Sequence, residues 1–185
     1  MFNFKICQKK IQVGQKPVLR NDDNVTVDIS LEPNHLLKIS EVHNYFEMVT
    51  WLGISWKDHR LTWDPKDYGG IETIYMKRDR VWKPDVILVD YINDQDTHHA
   101  GYLRRMKPDL LLNHNGLFKW DSRLVLKAGC EIDVQSYPTD VHDCSLRFET
   151  LASKRTVIQV RPNDALIVNF YQENTAWHIV DTYYR

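Results

Sequence analysis

Net charge is almost missing from this chain: 24 Lys and Arg against 25 Asp and Glu leave a formal −1 over 185 residues. With both signs interspersed, there is neither the basic footprint of a nucleic-acid binder nor a polybasic face for a membrane surface. Long apolar runs are missing too. Stretches such as Val86-Ile87-Leu88-Val89 stop at four residues, whereas a spanning helix needs about 20. The chain is therefore expected to hold no transmembrane segment, and no signal peptide is visible at Met1. The short motifs of catalysis are absent as well: no Gly-x-Ser-x-Gly elbow, no phosphate-binding glycine loop, no Cys-x-x-Cys and no His-Glu-x-x-His. Carboxylates are plentiful, but nothing selects one pair over another, so an enzyme is not expected. Of eight histidines, His98-His99 beside Asp94 and Asp96 form the one cluster. Zinc needs about four ligands in defined geometry, and Asp90, Asp94 and Asp96 lack the spacing of a calcium loop. A solvated acidic loop, with no metal and no cofactor, is the expectation.

Length points to one domain over 1–185, large enough to bury about 70% of its unfolded surface. Phe4, Cys7 and Ile11 fall at helical spacing, which predicts a short amphipathic helix ending near Gly14 and Pro17. Beyond it the period changes to two. Val25, Val27, Ile29 and Leu31 alternate with polar residues, and further strands are expected at 36–40, 45–57, 86–91, 103–112, 117–120, 123–127, 131–135, 144–151, 156–160, 165–171 and 176–183. Turn residues separate many of them, among them Asp64-Pro65-Lys66 and Asn113-His114-Asn115-Gly116. No internal repeat, low-complexity tract or linker interrupts the series. The fold class is all-β, an immunoglobulin-like β-sandwich with a short N-terminal helix.

Two features carry functional information. Cys130 and Cys144 enclose thirteen residues, with Tyr137-Pro138-Thr139-Asp140 near the middle and alternating apolar residues outside. That reads either as a loop closed by a disulfide, which would add roughly 3 kcal/mol of stability, or as two buried free cysteines; spacing does not decide. Cys7 is the odd thiol if they pair. The second feature is Trp51. In a strand over 46–57, Met48, Thr50, Leu52, Ile54 and Trp56 share one face, while Trp51 shares the more polar face with Glu47, Val49, Gly53, Ser55 and Lys57. A large aromatic on a polar face is a wall of a ligand site, part of an interface, or an isolated exposed ring without function. Trp56, Trp63 and Trp120 read as core. Trp82, Pro84 and Asp85 read as structural. Asn24-Val25-Thr26 fits a glycosylation acceptor.

The loop spacing, together with Trp51-x-x-x-x-Trp56-Lys57-Asp58-x-Arg60-Leu61-x-Trp63, Asp67-Tyr68-Gly69-Gly70-Ile71 and Val81-Trp82-Lys83-Pro84-Asp85 in that order, resembles the extracellular ligand-binding domain of the Cys-loop, or pentameric ligand-gated ion channel, family. The likeness is to nicotinic acetylcholine receptor subunits and acetylcholine-binding proteins and runs from about Val25 to Tyr184. It implies a disulfide between Cys130 and Cys144 and an oxidising, extracellular location. It also implies a small-molecule ligand, cationic in character, bound between neighbouring chains of a pentamer of like or unlike subunits. Trp51 matches the aromatic of the family's complementary face, and Leu111, Lys119 and Asp121 match its next contact segment. On the principal face the family tyrosine aligns with Val89, with Tyr91 the nearest aromatic, and the family tryptophan aligns with Leu151. The third contact segment and last strand have no counterpart, and the initial helix is short. Glu41, Tyr137, Pro138 and Asp140 match positions that couple the domain to a pore. The alternatives are a secreted soluble pentamer and a subunit that supports assembly without binding.

Overall fold

Period-two alternation governs the computed structural model, which describes residues 15–18, 23–92, 109–150, 156–160, 172 and 174–181. Among these residues the strands are β1 (Val25–Ser40), β2 (Tyr45–Lys57), β3 (Thr73–Met76), β4 (Val86–Leu88), β5 (Leu110–Asn113), β6 (Leu117–Gly129), β7 (Phe148–Thr150) and β8 (Thr156–Val160). They build an all-β sandwich. One sheet has the order β3-β5-β6-β2-β1-β8 and the other pairs β4 with β7. Neighbours are antiparallel except β1 and β8, which run parallel. The helix expected over residues 4–11 lies outside the described residues, as do 103–108, 165–171 and the histidine–aspartate cluster.

The inward faces make two apolar clusters. Val27, Ile29, Leu52, Ile54, Trp56, Leu112, Phe118 and Trp120 fill one half against Val86. Leu36, Phe46, Met48, Leu88, Leu126 and Ala128 fill the other. Leu31, Leu124 and Phe148 touch both and join them. Trp56 lies over Phe118 with ring centroids 5.1 Å apart and nearly parallel, and meets the edge of Trp82 at 6.2 Å. Trp63 is half-buried, and its indole N–H donates to the Ile71 carbonyl at 2.7 Å, tying down the loop before β3. Full burial of each large apolar side chain contributes about 1.5–3 kcal/mol.

Strand β1 is longer than two separate segments at 25–31 and 36–40 would be, and the join is made by two bulges. Pro33 faces Thr50 while His35 faces Val49, leaving Asn34 unopposed; Leu36 faces Met48 while Lys38 faces Glu47, leaving Leu37 unopposed. Each extra residue shifts the side-chain alternation by one. Leu31 therefore sits opposite Leu52, Leu36 opposite Met48 and Ile39 opposite Phe46, all with their apolar partners. Inside the sheet beside the first bulge, Thr50 is fully buried, and its hydroxyl donates to the Glu32 carbonyl at 2.7 Å.

Other departures have physical reasons. The segments expected at 117–120 and 123–127 are one strand, β6, because β2 offers an unbroken partner from Tyr45 to Lys57. No strand forms at 131–135. The last rung there is Cys130 N–H to the Asn44 carbonyl at 2.9 Å, and beyond it backbone groups bond locally, Gln135 N–H to Asp133 Oδ1 and Tyr137 N–H to the Val134 carbonyl. From 144 to 150 burial alternates as expected, but only Phe148–Thr150 is paired, since β4 offers three residues. Residues 177–180 alternate in burial without joining a ladder. Strand β3 was not anticipated.

A candidate ligand-binding face

Trp51 stands on the outer face of the large sheet, 45% exposed, with Glu32 of β1 on one side and Arg123 of β6 on the other. The next row along the strands is Ser30, Gly53 and Asp121, and the one after is Asp28, Ser55 and Lys119. Leu111 of β5 faces Lys119, and Tyr75 of β3 faces Leu111. The register thus sets Trp51, Leu111, Lys119 and Asp121 on one face. The sequence had offered them as separate positions; cross-strand pairing brings them together.

Beside Trp51 the surface dips into an open depression of about 220 Å³. Its floor is Gly53, its β1 wall is Ser30, Glu32 and the bulged Pro33-Asn34, and Asp121 closes the β6 side. Gly53 is required by close approach. A Cβ there would lie 2.4 Å from Ser30 Oγ and 2.8 Å from Asp121 Oδ1, so both polar side chains lean over the glycine. Bulged Asn34 accepts a hydrogen bond from the Arg123 guanidinium at 2.8 Å, and its carbonyl accepts one from Gln172 N–H at 2.8 Å. Ser30, Glu32, Pro33, Asn34 and Gly53 were missed by sequence reasoning. The one signal available was a glycine two residues from an exposed tryptophan.

The other candidates lie elsewhere. Pairing of β4 with β7 ends at Leu88, and Val89 N–H donates to the Arg147 carbonyl at 2.8 Å. The chain then crosses to the large sheet, where Tyr91 bridges Ala128 and rests against the second apolar cluster. Regular alternation along 86–91 is thereby broken, and Tyr91 does not stand beside Val89. The turn after β4 is fixed by Asp90, whose carboxylate takes two hydrogen bonds from the Arg147 guanidinium. That bonding holds Asp90 below the usual carboxylate range. Leu151 lies outside the described residues. Val89 lies in the turn after β4 and does not line the depression beside Trp51.

At one end of the sandwich Cys130 and Cys144 are disulfide-bonded, with Cα atoms 4.9 Å apart. The loop they close begins next to the β1–β2 turn, through the Cys130–Asn44 hydrogen bond, and Glu41 is the first residue of that turn. Tyr137 is 74% exposed at the loop tip, and the Tyr137–Pro138 peptide is cis. The Asp140 side chain turns inward instead, its carboxylate 2.6 Å from His142 Nε2, and the His142 ring packs at 5.2 Å from Trp177. Asn24 is exposed immediately before β1. Among the described residues no three His, Cys, Asp or Glu side chains converge as metal ligands.

The molecule is a disulfide-closed β-sandwich that carries an exposed tryptophan beside a shallow polar depression. The chain belongs to the neurotransmitter-gated ion-channel ligand-binding domain family, whose model matches residues 7–185. Over 172 residues it is 34% identical to the neuronal acetylcholine receptor subunit alpha-6 of Rattus norvegicus, covering 90% of this chain and 33% of the relative. It is 30% identical over 177 residues to the acetylcholine receptor subunit beta of Xenopus laevis, covering 90% and 35%. It is also 33% identical over 133 residues to the acetylcholine receptor subunit alpha-type unc-63 of Caenorhabditis elegans, covering 72% and 25%. The chain thus spans about a third or less of the length of these curated relatives. The family is one of ligand-gated channels rather than enzymes, and its ligand-binding domain is extracellular.

Proposed function

We propose that this chain recognises a small cationic molecule at the contact between neighbouring subunits of a ring, a pentamer by family resemblance, and that the Trp51 face is one wall of that site. The observation that carries the reading is the exposure of Trp51 beside the carboxylates of Glu32 and Asp121. An indole face attracts a desolvated cation by roughly 2 kcal/mol. Trp51 stands on the outer face of the large sheet and Val89 in the turn after β4, and on our reading a site using both walls takes them from two copies, each offering a different surface, as in a closed ring. Val89 is aliphatic where the family places a tyrosine. This favours a second reading, in which the chain supplies the Trp51 wall and an unlike subunit supplies the aromatic one.

Tyr137, exposed at the loop tip next to the Glu41 turn, suits a surface that rests on a pore domain, and we read the chain as receptor-derived rather than as a secreted soluble pentamer. The test is sedimentation together with calorimetric titration of small ammonium compounds. Trp51→Ala should weaken binding by about 2 kcal/mol, with acetylcholine a poor ligand for the chain alone because Val89 offers no ring. A strictly monomeric mass at micromolar concentration, or an affinity indifferent to Trp51→Ala, would overturn the reading.

A further inference from the structure

The depression is asymmetric around Trp51. Among the described residues its lining toward β1 and Gly53 carries two carboxylates, Glu32 and Asp121, and no cation. Two cations lie one row from Gly53 in the strand register: Arg123, which is engaged by Asn34 at 2.8 Å, and Lys119, which stands opposite Leu111 of β5. The missing side chain at Gly53 lets Asp121 lean across the sheet from β6 toward Ser30. A cation seated over Gly53 would therefore meet the Asp121 carboxylate, with the indole beside it.

A quaternary ammonium has no N–H and can use only the indole and diffuse attraction. An ammonium with N–H groups can also form charge-assisted hydrogen bonds, which are roughly twice as strong as neutral ones. We infer that the Gly53 depression is a subsite for an organic ammonium carrying N–H donors, with Asp121 as acceptor and Gly53 as the residue that fixes specificity by leaving room for it. Resting on the proposed Trp51 site, the inference adds which ammonium that site prefers.

The probes are ethylammonium and tetramethylammonium, titrated into the whole chain while the Trp51 indole N–H resonance is followed. The resonance is assigned by its loss in Trp51→Phe. Ethylammonium should move it with at least fivefold tighter apparent binding than tetramethylammonium, and Asp121→Asn should bring the two probes to within twofold while the strand dispersion of the spectrum is kept. Gly53→Ala, which forces Asp121 or Ser30 aside, should likewise reduce the preference. Equal binding of the two probes, tighter tetramethylammonium binding, or a preference that survives Asp121→Asn overturns the inference and leaves the Trp51 reading standing. No response to either probe overturns both.

Discussion

Replacing Thr50 by valine tests whether the first bulge is held from inside the sheet. The two side chains are nearly the same shape, Thr50 has no exposed surface, and its hydroxyl donates to the Glu32 carbonyl at 2.7 Å. One buried hydrogen bond contributes about 0.5–1.5 kcal/mol net, and a carbonyl that loses a partner away from water adds a desolvation cost. Against this stands a modest gain from burying a methyl in place of a hydroxyl. The balance is a loss of about 1–2 kcal/mol, which in a domain of this size lowers Tm by roughly 2–8 °C. Thr50→Ser keeps the donor and loses one methyl, so it should cost about 1 kcal/mol through packing alone. The assay is urea unfolding of the three proteins, followed by tryptophan emission. The two substitutions should also differ at the surface: with the bulge loosened, Thr50→Val should shift the Asn34 and Arg123 resonances, whereas Thr50→Ser should not. A Thr50→Val protein as stable as the parent, with those resonances unmoved, would refute the reasoning.

Removing the disulfide by Cys130→Ser with Cys144→Ser should lower unfolding stability by about 3 kcal/mol, the value expected for a loop of this length, and denaturant midpoints with and without the bond check it. Arg147→Gln should destabilise the chain at neutral pH, because the guanidinium holds the Asp90 carboxyl below its ordinary value of 3.8. A depressed carboxylate contributes stability above that value and loses it as pH falls through the folded one, so parent and variant midpoints should converge in acid; a constant difference across the range would exclude this cause. Gly116 has φ of +85°, and a Cβ there would lie 2.4 Å from the Asp58 carbonyl oxygen. Gly116→Ala should therefore cost about 2 kcal/mol or more, read as a drop in Tm, with the β5–β6 hairpin resonances displaced.

Strand β2 was legible to its ends at 45 and 57 because its alternation is strong and unbroken, and the same pattern put Trp51 outside. The interruption at Pro33-Asn34-His35 looked like a gap between strands, since a bulge and a turn have similar sequences. Strand β3 is four residues at a sheet edge, with Tyr75 exposed and no buried residue to mark a period. The depression was illegible for a different reason. Ser30, Glu32, Gly53 and Asp121 come from three strands, and only the register between strands makes them neighbours. Register also explains Tyr91: sequence places it two residues from Val89, but pairing with Ala128 carries it to the opposite sheet.

The paired bulges of β1 give the molecule a modular character. Asn34 and Leu37 are two surplus residues in an otherwise regular ladder, and the second cancels the shift introduced by the first. Deleting either alone would remove one bulge and leave the paired residues on both sides opposite the β2 partners they have now. Deleting both would restore continuous pairing with β2, leaving Val25–Glu32 and Lys38–Ser40 facing as they do now. The Asn34 wall of the depression is thus an insert that the scaffold could lose without losing itself, so the shape of this face and the integrity of the sheet can vary independently.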